Sequence, residues 1–285
     1  FASELTALLE VKELQRELDE LSVYDYLTYA NVPAPKTMFR DVYKLPASYY
    51  ITFVPGEEMR QQRYWDPVSV IRRSTLPENE IVKAIREKMF EAVRVRMQSD
   101  VNVGMLLSGG LDSSINLACM SQFSSEPVRT YTVGFENKNL YTNEFSYARK
   151  VASFFKAEYN ELLVTEAQFL DTLPEVMYLQ DEPIADTANI PLYLISKLAG
   201  NDGIKILLSG EGSDEIFIGY QHWRLIYQYE KIFRNRPLMA GMFNFLHQKS
   251  VFRNRRPYYS NWSYKVKNSW PVFWGGTELR TEEEK

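Results

Sequence analysis

The 285-residue chain is poor in cysteine and histidine, and each shortage excludes a kind of chemistry. Its single cysteine, Cys119, rules out an internal disulfide and a cysteine-rich zinc site. That residue falls within a helical stretch and reads as a buried structural thiol. The two histidines, His222 and His247, stand 25 positions apart with no HExxH or cysteine context, so no histidine metal site is expected. No apolar run approaches the ~20 residues of a membrane span, and no GxSxG elbow supports a serine hydrolase. The opening FASELTALLEVKELQ carries acidic residues and no clean apolar core, so it does not read as a signal peptide. With so little cysteine, a cytoplasmic setting fits.

A strong overall charge is missing too. The net charge of −4 does not mark a nucleic-acid binder, and no such partner is expected. The charge is unevenly spread, however. Residues 221–270 hold ten Lys/Arg against one acid, Glu230, a balance of +9 that leaves −13 for the rest. Such a segment reads first as a solvated face or a dock for an acidic neighbour, and only second as a nucleic-acid surface. A hydrophobic content of 45% and a charged content of 25% are ordinary for a globular protein, and the length allows a large core and two domains.

What is present is an alternation. Strand candidates lie at 101–107, 128–135, 157–164 and 204–209, and helical candidates at 111–124, 142–156, 166–180 and 188–200. That order predicts an α/β fold, a parallel twisted sheet with helices on both faces. Ahead of it, residues 77–98 carry Ile81, Ala84, Ile85, Met89, Ala92 and Val93 at helical spacing. Residues 44–67 read as a hairpin turning at Pro55-Gly56, and residues 1–20 as a strand-like start followed by a short charged helix. Beyond about residue 221 the pattern is helical, irregular and aromatic.

Two glycine turns carry the chemistry. SGGLDSS (108–114) joins an apolar strand to a helix, which places backbone N–H groups and the positive end of a helix where phosphate oxygens can bind. Gly109 and Gly110 permit close approach, Ser108, Ser113 and Ser114 add hydroxyls, and Asp112 adds a carboxylate suited to a Mg²⁺ on a polyphosphate. No Gly-Lys-Ser/Thr follows, so the loop is not a Walker A loop, and its design suits pyrophosphate. SGEGSDE (209–215) repeats the plan after IKILL, with Gly210, Gly212 and three acids, Glu211, Asp214 and Glu215. Between them lies DEPIAD (181–186), whose Asp181, Glu182 and Asp186 are expected near the same sheet edge, as substrate contacts or as a plain acidic loop.

SGGLDSS, TVGF (132–135), DEP (181–183) and LSGEGSDEIFIGY (208–220) together resemble the synthetase domain of glutamine-dependent asparagine synthetase, of the ATP pyrophosphatase family. FASELTALL (1–9), 27–50 and RYWDP (63–67) resemble the end of that family's glutaminase domain and its linker, and 271–285 also resembles the family. The resemblance implies three parts: 1–66 from the glutaminase domain and linker, 67–225 the synthetase domain, and 226–285 an incomplete helical part. It also implies adenylation of the aspartate β-carboxylate by ATP with Mg²⁺, then attack by ammonia from glutamine. By motif position, Ser108, Gly109, Gly110, Asp112, Ser113 and Ser114 would hold pyrophosphate. Leu106, Leu107 and Val133 would line the adenine pocket, and Ser209 and Gly210 would contact the nucleotide. Asp112 and Asp214 would take the metal, Glu211 and Asp214 would be catalytic, and Tyr220 would close over the nucleotide. Asp181 and Glu182 are weaker candidates for substrate contact.

A chain beginning at Phe1 lacks the family's N-terminal cysteine nucleophile and most of its glutaminase domain, so glutamine hydrolysis is not expected of it. The family's downstream lysine is not in this sequence, and Ile218 stands where a glycine is common. Two other readings stay open: an amidotransferase acting on another carboxylate, such as a uronic sugar, and a non-catalytic ATP-binding fragment. A homodimer is left open.

Overall fold

The structure is a computed structural model that describes residues 1–136, 144–248 and 256–272. In chain order its elements are α1 (Leu5–Leu9), α2 (Glu20–Tyr29), β1 (Tyr49–Thr52), β2 (Arg60–Arg63), α3 (Pro67–Val70), α4 (Glu78–Arg96), β3 (Val103–Leu106) and α5 (Leu111–Phe123). They continue as β4 (Arg129–Phe135), α6 (Phe145–Phe154), β5 (Glu158–Val164), α7 (Glu166–Leu179), α8 (Asn189–Asn201) and β6 (Ile206–Leu208). The last are α9 (Ser213–Phe217), α10 (Gln221–Phe233), α11 (Pro237–Gln248) and α12 (Arg256–Lys267). They form two compact units. One joins Arg72–Leu179 to Asp186–Ser213, and the other joins Phe1–Ile71, Gln180–Ala185 and Asp214–Lys285.

The first unit holds a four-stranded parallel sheet in the order β5-β4-β3-β6. Side chains alternate across a strand, and the core divides accordingly. Val103, Met105 and Leu107 face one side with Val93 of α4, Leu117, Cys119 and Met120 of α5, and Ala148 and Ala152 of α6. Leu106, Tyr131, Val133 and Leu162 face the other side with Ile195 and Ala199 of α8. Helices therefore cover both faces, as the alternation predicts, and each fully buried Leu or Met contributes about 1.5–3 kcal/mol of apolar burial. At the amino ends of the strands the Tyr131 hydroxyl donates to Asp202 Oδ2 at 3.0 Å, and burial first, then that bond, pushes its pKa up to about 12. Arg129 donates to the Asp202 carbonyl at 2.8 Å and to Glu158 at 3.2 Å.

In the second unit, β1 and β2 pair antiparallel around a turn in which Gly56 has a φ of +89°. Helices α10, α11 and α12 enclose Tyr229, Phe233, Ala240, Val266 and Val272, with the Tyr229 ring 4.6 Å from Phe233 and 5.2 Å from Trp262. Among the described residues no helix is long and apolar enough to cross a membrane.

The predicted strands and helices of the sheet unit lie within about three residues of the observed ones wherever they are described. Residues 142–143 of the expected 142–156 helix lie outside the described residues, as do 249–255 of the basic segment and 273–285 of the tail. The amino-terminal expectation is corrected. Residues 1–20 hold no strand-like start: Leu5–Leu9 is helical, and the charged stretch after it forms turns rather than a helix. Two carboxylates far apart in sequence decide this. Asp181 accepts from the Leu5 and Thr6 amides at 2.9 and 3.2 Å, which satisfies orphan donors at the start of α1. Asp19 accepts from the Leu21 amide at 3.3 Å and starts the next helix at Glu20.

Candidate functional site

In an open parallel sheet, ligands bind beyond the carboxyl ends of the strands, where the connections diverge. Here that point is β3. Its chain leads to β4 on one side, while β6 joins it on the other, pairing Val103 with Ile206 and Met105 with Leu208. The two glycine loops leave the adjacent ends of β3 and β6. A cleft of about 600 Å³ lined by Asn102, Ser124, Arg129 and Glu158 opens at the opposite, amino ends of the strands, away from these loops.

The first loop runs straight into α5. Gly110 is its N-cap and offers no side chain to the helix, so no side chain caps the first amides of α5. The hydroxyls are bonded within the loop. Ser108 Oγ lies 3.0 Å from Ser113 Oγ and accepts from the Gly110 amide at 3.2 Å, while Ser114 Oγ donates to the Gly110 carbonyl at 2.6 Å. Ser113 is buried, and half-buried Asp112 makes no ion pair with the described residues. Gly109 has a φ of +82°, and a Cβ there would lie 2.5 Å from the Ala148 amide nitrogen and 2.8 Å from Tyr147 Cβ. The loop is therefore pressed against the first turn of α6, which only glycine permits at this φ.

The second loop is seated on α5. A Cβ on Gly210 would lie 3.0 Å from the Ser113 amide nitrogen and 3.1 Å from the Asp112 carbonyl carbon. Ser209 Oγ donates to Glu211 Oε1 at 2.9 Å, and Asn116 Nδ2 on α5 donates to the Ser209 carbonyl at 3.2 Å. Asn116 was not among the sequence candidates. Its signal is the spacing of four residues from Asp112, which puts both on one face of the helix.

Of the three expected adenine-lining residues, Leu106 and Val133 share the α8 face of the sheet. Leu107 points to the opposite face and is buried in the core, because adjacent strand residues alternate. Its carbonyl accepts from the Thr132 hydroxyl at 2.5 Å.

Asp214, Glu215 and Tyr220 belong to the second unit, whose boundary falls inside α9. There the Gly219 amide donates to the Asp214 carbonyl at 2.9 Å, with the Gly219 Cα against the Asp214 carboxylate. The Tyr220 hydroxyl donates to Glu215 Oε1 at 2.9 Å, and Arg224 Nε to the Ile218 carbonyl at 2.9 Å. Ile218 itself has a φ of +54°. Among the described residues no three His, Cys, Asp or Glu side chains cluster as a metal site.

The acids of the DEPIAD segment are engaged with backbone. Gln180–Ala185 groups with the second unit, while Asp186 groups with the sheet unit. Asp181 is occupied by Leu5 and Thr6, whose hydroxyl adds a third bond at 2.9 Å. Glu182 accepts from the Met38 amide at 2.7 Å and pairs with Lys44. Both carboxylates stitch distant backbone segments together. Asp186, in the sheet unit, accepts from the Ala188 amide at 2.9 Å ahead of α8.

The asparagine synthase family profile matches residues 84–279. The chain belongs to the asparagine synthase family. A glutamine amidotransferase domain profile matches residues 1–65. The chain is 32% identical over 224 residues to asparagine synthetase (glutamine-hydrolyzing) 1 of Bacillus subtilis, covering 79% of this chain and 34% of that one. It is 30% identical over 224 residues to a Methanocaldococcus jannaschii protein assigned as asparagine synthetase 2, covering 77% of this chain and 42% of that one. The chain thus spans about a third to two fifths of the length of these curated relatives. Among solved structures, the glutamine-dependent NAD+ synthetase of Acinetobacter baumannii aligns over 57% of this chain and 32% of its own, at 18% identity and a TM-score of 0.37.

Proposed function

We propose that the chain is part of an ATP-dependent amide-forming ligase. It would adenylate the β-carboxylate of aspartate, release pyrophosphate, and let glutamine-derived ammonia displace AMP to give asparagine. The observation that carries this reading is the pair of glycine loops at adjacent strand ends, with Gly210 seated on the first turn of α5.

The uncapped amides at the start of α5 would receive the pyrophosphate oxygens. Charge grows there as the α-phosphorus bond to the leaving group breaks, and donors fixed in advance stabilise it without reorganising. The hydroxyls of Ser108, Ser113 and Ser114 would exchange their bonds within the loop for bonds to the anion. Leu106 and Val133 would pack on adenine, Leu107 would contribute backbone only, and Ser209 and Gly210 would contact the nucleotide. Mg²⁺ takes one or two carboxylates and completes its shell with water and phosphate, so the sparse acids here suit it; Asp112 would be a ligand, and by motif position Asp214 would be the other candidate. When bound, it would neutralise charge on the leaving pyrophosphate. Glu211 would take the proton from the attacking ammonia, and Tyr220 would close over the nucleotide. Asp181 and Glu182 are assigned to folding, on the strength of their backbone partners. The same reading keeps the division at 66 and 225 between glutaminase-linker, synthetase and helical parts, and a cytoplasmic setting.

The test supplies the full chain with ATP, Mg²⁺, aspartate and ammonium and measures pyrophosphate, AMP and asparagine. Calorimetry should show ATP binding that Asp112→Ala weakens. Absence of ATP binding by the parent overturns the reading. Pyrophosphate release with a different carboxylate, and none with aspartate, overturns the choice of substrate.

A further inference from the structure

We infer that Asn116 is a positioning residue for Glu211, acting through the backbone of Ser209; the inference rests on the ligase reading above. Three contacts make a short chain. Asn116 Nδ2 donates to the Ser209 carbonyl at 3.2 Å, which fixes the plane of the Ser209–Gly210 peptide. The next residue, Gly210, lies on the first turn of α5, where an added Cβ would stand a tight 3.0 Å from the Ser113 amide nitrogen. Ser209 Oγ then holds Glu211 Oε1 at 2.9 Å. Asn116 is thus the one α5 side chain seen to bond the second loop among the described residues, 93 positions away in sequence. The helix that presents its amides to the first loop also sets where the second loop carries its carboxylate. Without this bond the Ser209–Gly210 peptide keeps its steric seat but is free to rotate, and Glu211 follows it.

The role predicts a loss in turnover rather than in nucleotide binding, because the amides of α5 stay in place. Asn116→Ala and the near-isosteric Asn116→Asp, which cannot donate, should each lower kcat about fivefold to tenfold, the size of one lost hydrogen bond. KM for ATP should stay within about twofold of the parent, since α5 is unaltered. In a Glu211→Gln background, Asn116→Ala should have no further effect, which a merely structural role would not produce. Amide exchange at residues 210–212, measured without nucleotide, should quicken in both variants. Parental kcat in the single variants, losses that multiply with Glu211→Gln, or unaltered exchange overturns the inference while leaving the ligase reading intact. A parent chain that binds no ATP overturns that reading. Faster exchange in the variants would then mark Asn116 as a structural tether and overturn its catalytic placement as well.

Discussion

Replacing Gly109 by alanine adds one carbon where the structure has no room for it, and two effects add. The first is backbone strain: at a φ of +82° an L side chain meets its own carbonyl, at a cost of about 1–2 kcal/mol. The second is steric. The new Cβ would sit 2.5 Å from the Ala148 nitrogen, and ordinary contact needs about 3.5 Å, so the first turn of α6 must retreat by about 1 Å. Ala148 is fully buried in the core cluster that also holds residues of β3 and α5, which makes that retreat an overpacking of the core, typically about 1–3 kcal/mol. The sum is about 2–5 kcal/mol, a large share of the ~5–15 kcal/mol that stabilises a domain.

Two controls in the same unit separate the terms. Gly203 has a φ of +79° and no atom within 4 Å of an added Cβ, so Gly203→Ala reads strain alone. Gly110 has a φ of −67°, and its nearest neighbour is the movable Ser108 hydroxyl at 3.2 Å, so Gly110→Ala should cost about 1 kcal/mol or less. Urea unfolding followed by circular dichroism measures all three in the full chain, and calorimetry with ATP and Mg²⁺ should show binding lost in Gly109→Ala well before Gly203→Ala. If Gly109→Ala costs no more than Gly203→Ala, the packing of the first loop on α6 is wrong.

Three other outcomes follow from single sites. Ile218, a β-branched residue at a φ of +54°, should give way to glycine with a gain of about 0.5–1 kcal/mol by thermal or urea unfolding, because relief of strain exceeds the extra chain entropy; a loss would mean the Ile218 side chain packs more than its exposure suggests. Burial alone would raise the Asp181 carboxyl, but the Leu5 and Thr6 amides and the Thr6 hydroxyl outweigh it and hold it below its ordinary 3.8. A depressed carboxyl contributes its full stability above its unfolded value and loses it as pH falls through its folded one, so exchange protection of the Leu5 and Thr6 amides should be full above about pH 4, decline below it, and disappear only once pH has fallen through the folded value, which lies below 3.8. Asp181→Asn should abolish that pH dependence. Burial pushes the Cys119 thiol up, so native protein should react with a disulfide reagent only after unfolding; rapid native labelling would contradict its place in the core.

The sheet was legible because its signals are local and redundant. Strands β3 and β6 are apolar runs that end in glycine turns, β4 and β5 are β-branched or alternating stretches next to helices, and the two-residue alternation of Met105, Leu106 and Leu107 divides the core into its two faces. The start of the chain was not legible, because α1 is set by a partner that its own residues do not reveal. Asp181 caps α1 from about 175 residues away, and no period within FASELTALL announces that contact.

The candidate site follows the same rule. SGGLDSS and SGEGSDE could be read as anion loops because glycine, serine and acid at a strand-to-helix turn have few other uses. Which side chain faces which neighbour was less legible. The family resemblance places Leu106 and Leu107 in one adenine pocket, yet the pleat sends Leu107 into the core with Met105 and leaves Leu106 with Val133. DEP suggests an acidic substrate contact, yet each of its carboxylates already holds backbone amides of its own unit. A carboxylate available for chemistry differs from one that holds the fold in its partners and not in its type. By that test Asp112, which makes no ion pair with the described residues and lies beside uncapped amides, is not committed to holding the fold as Asp181 and Glu182 are.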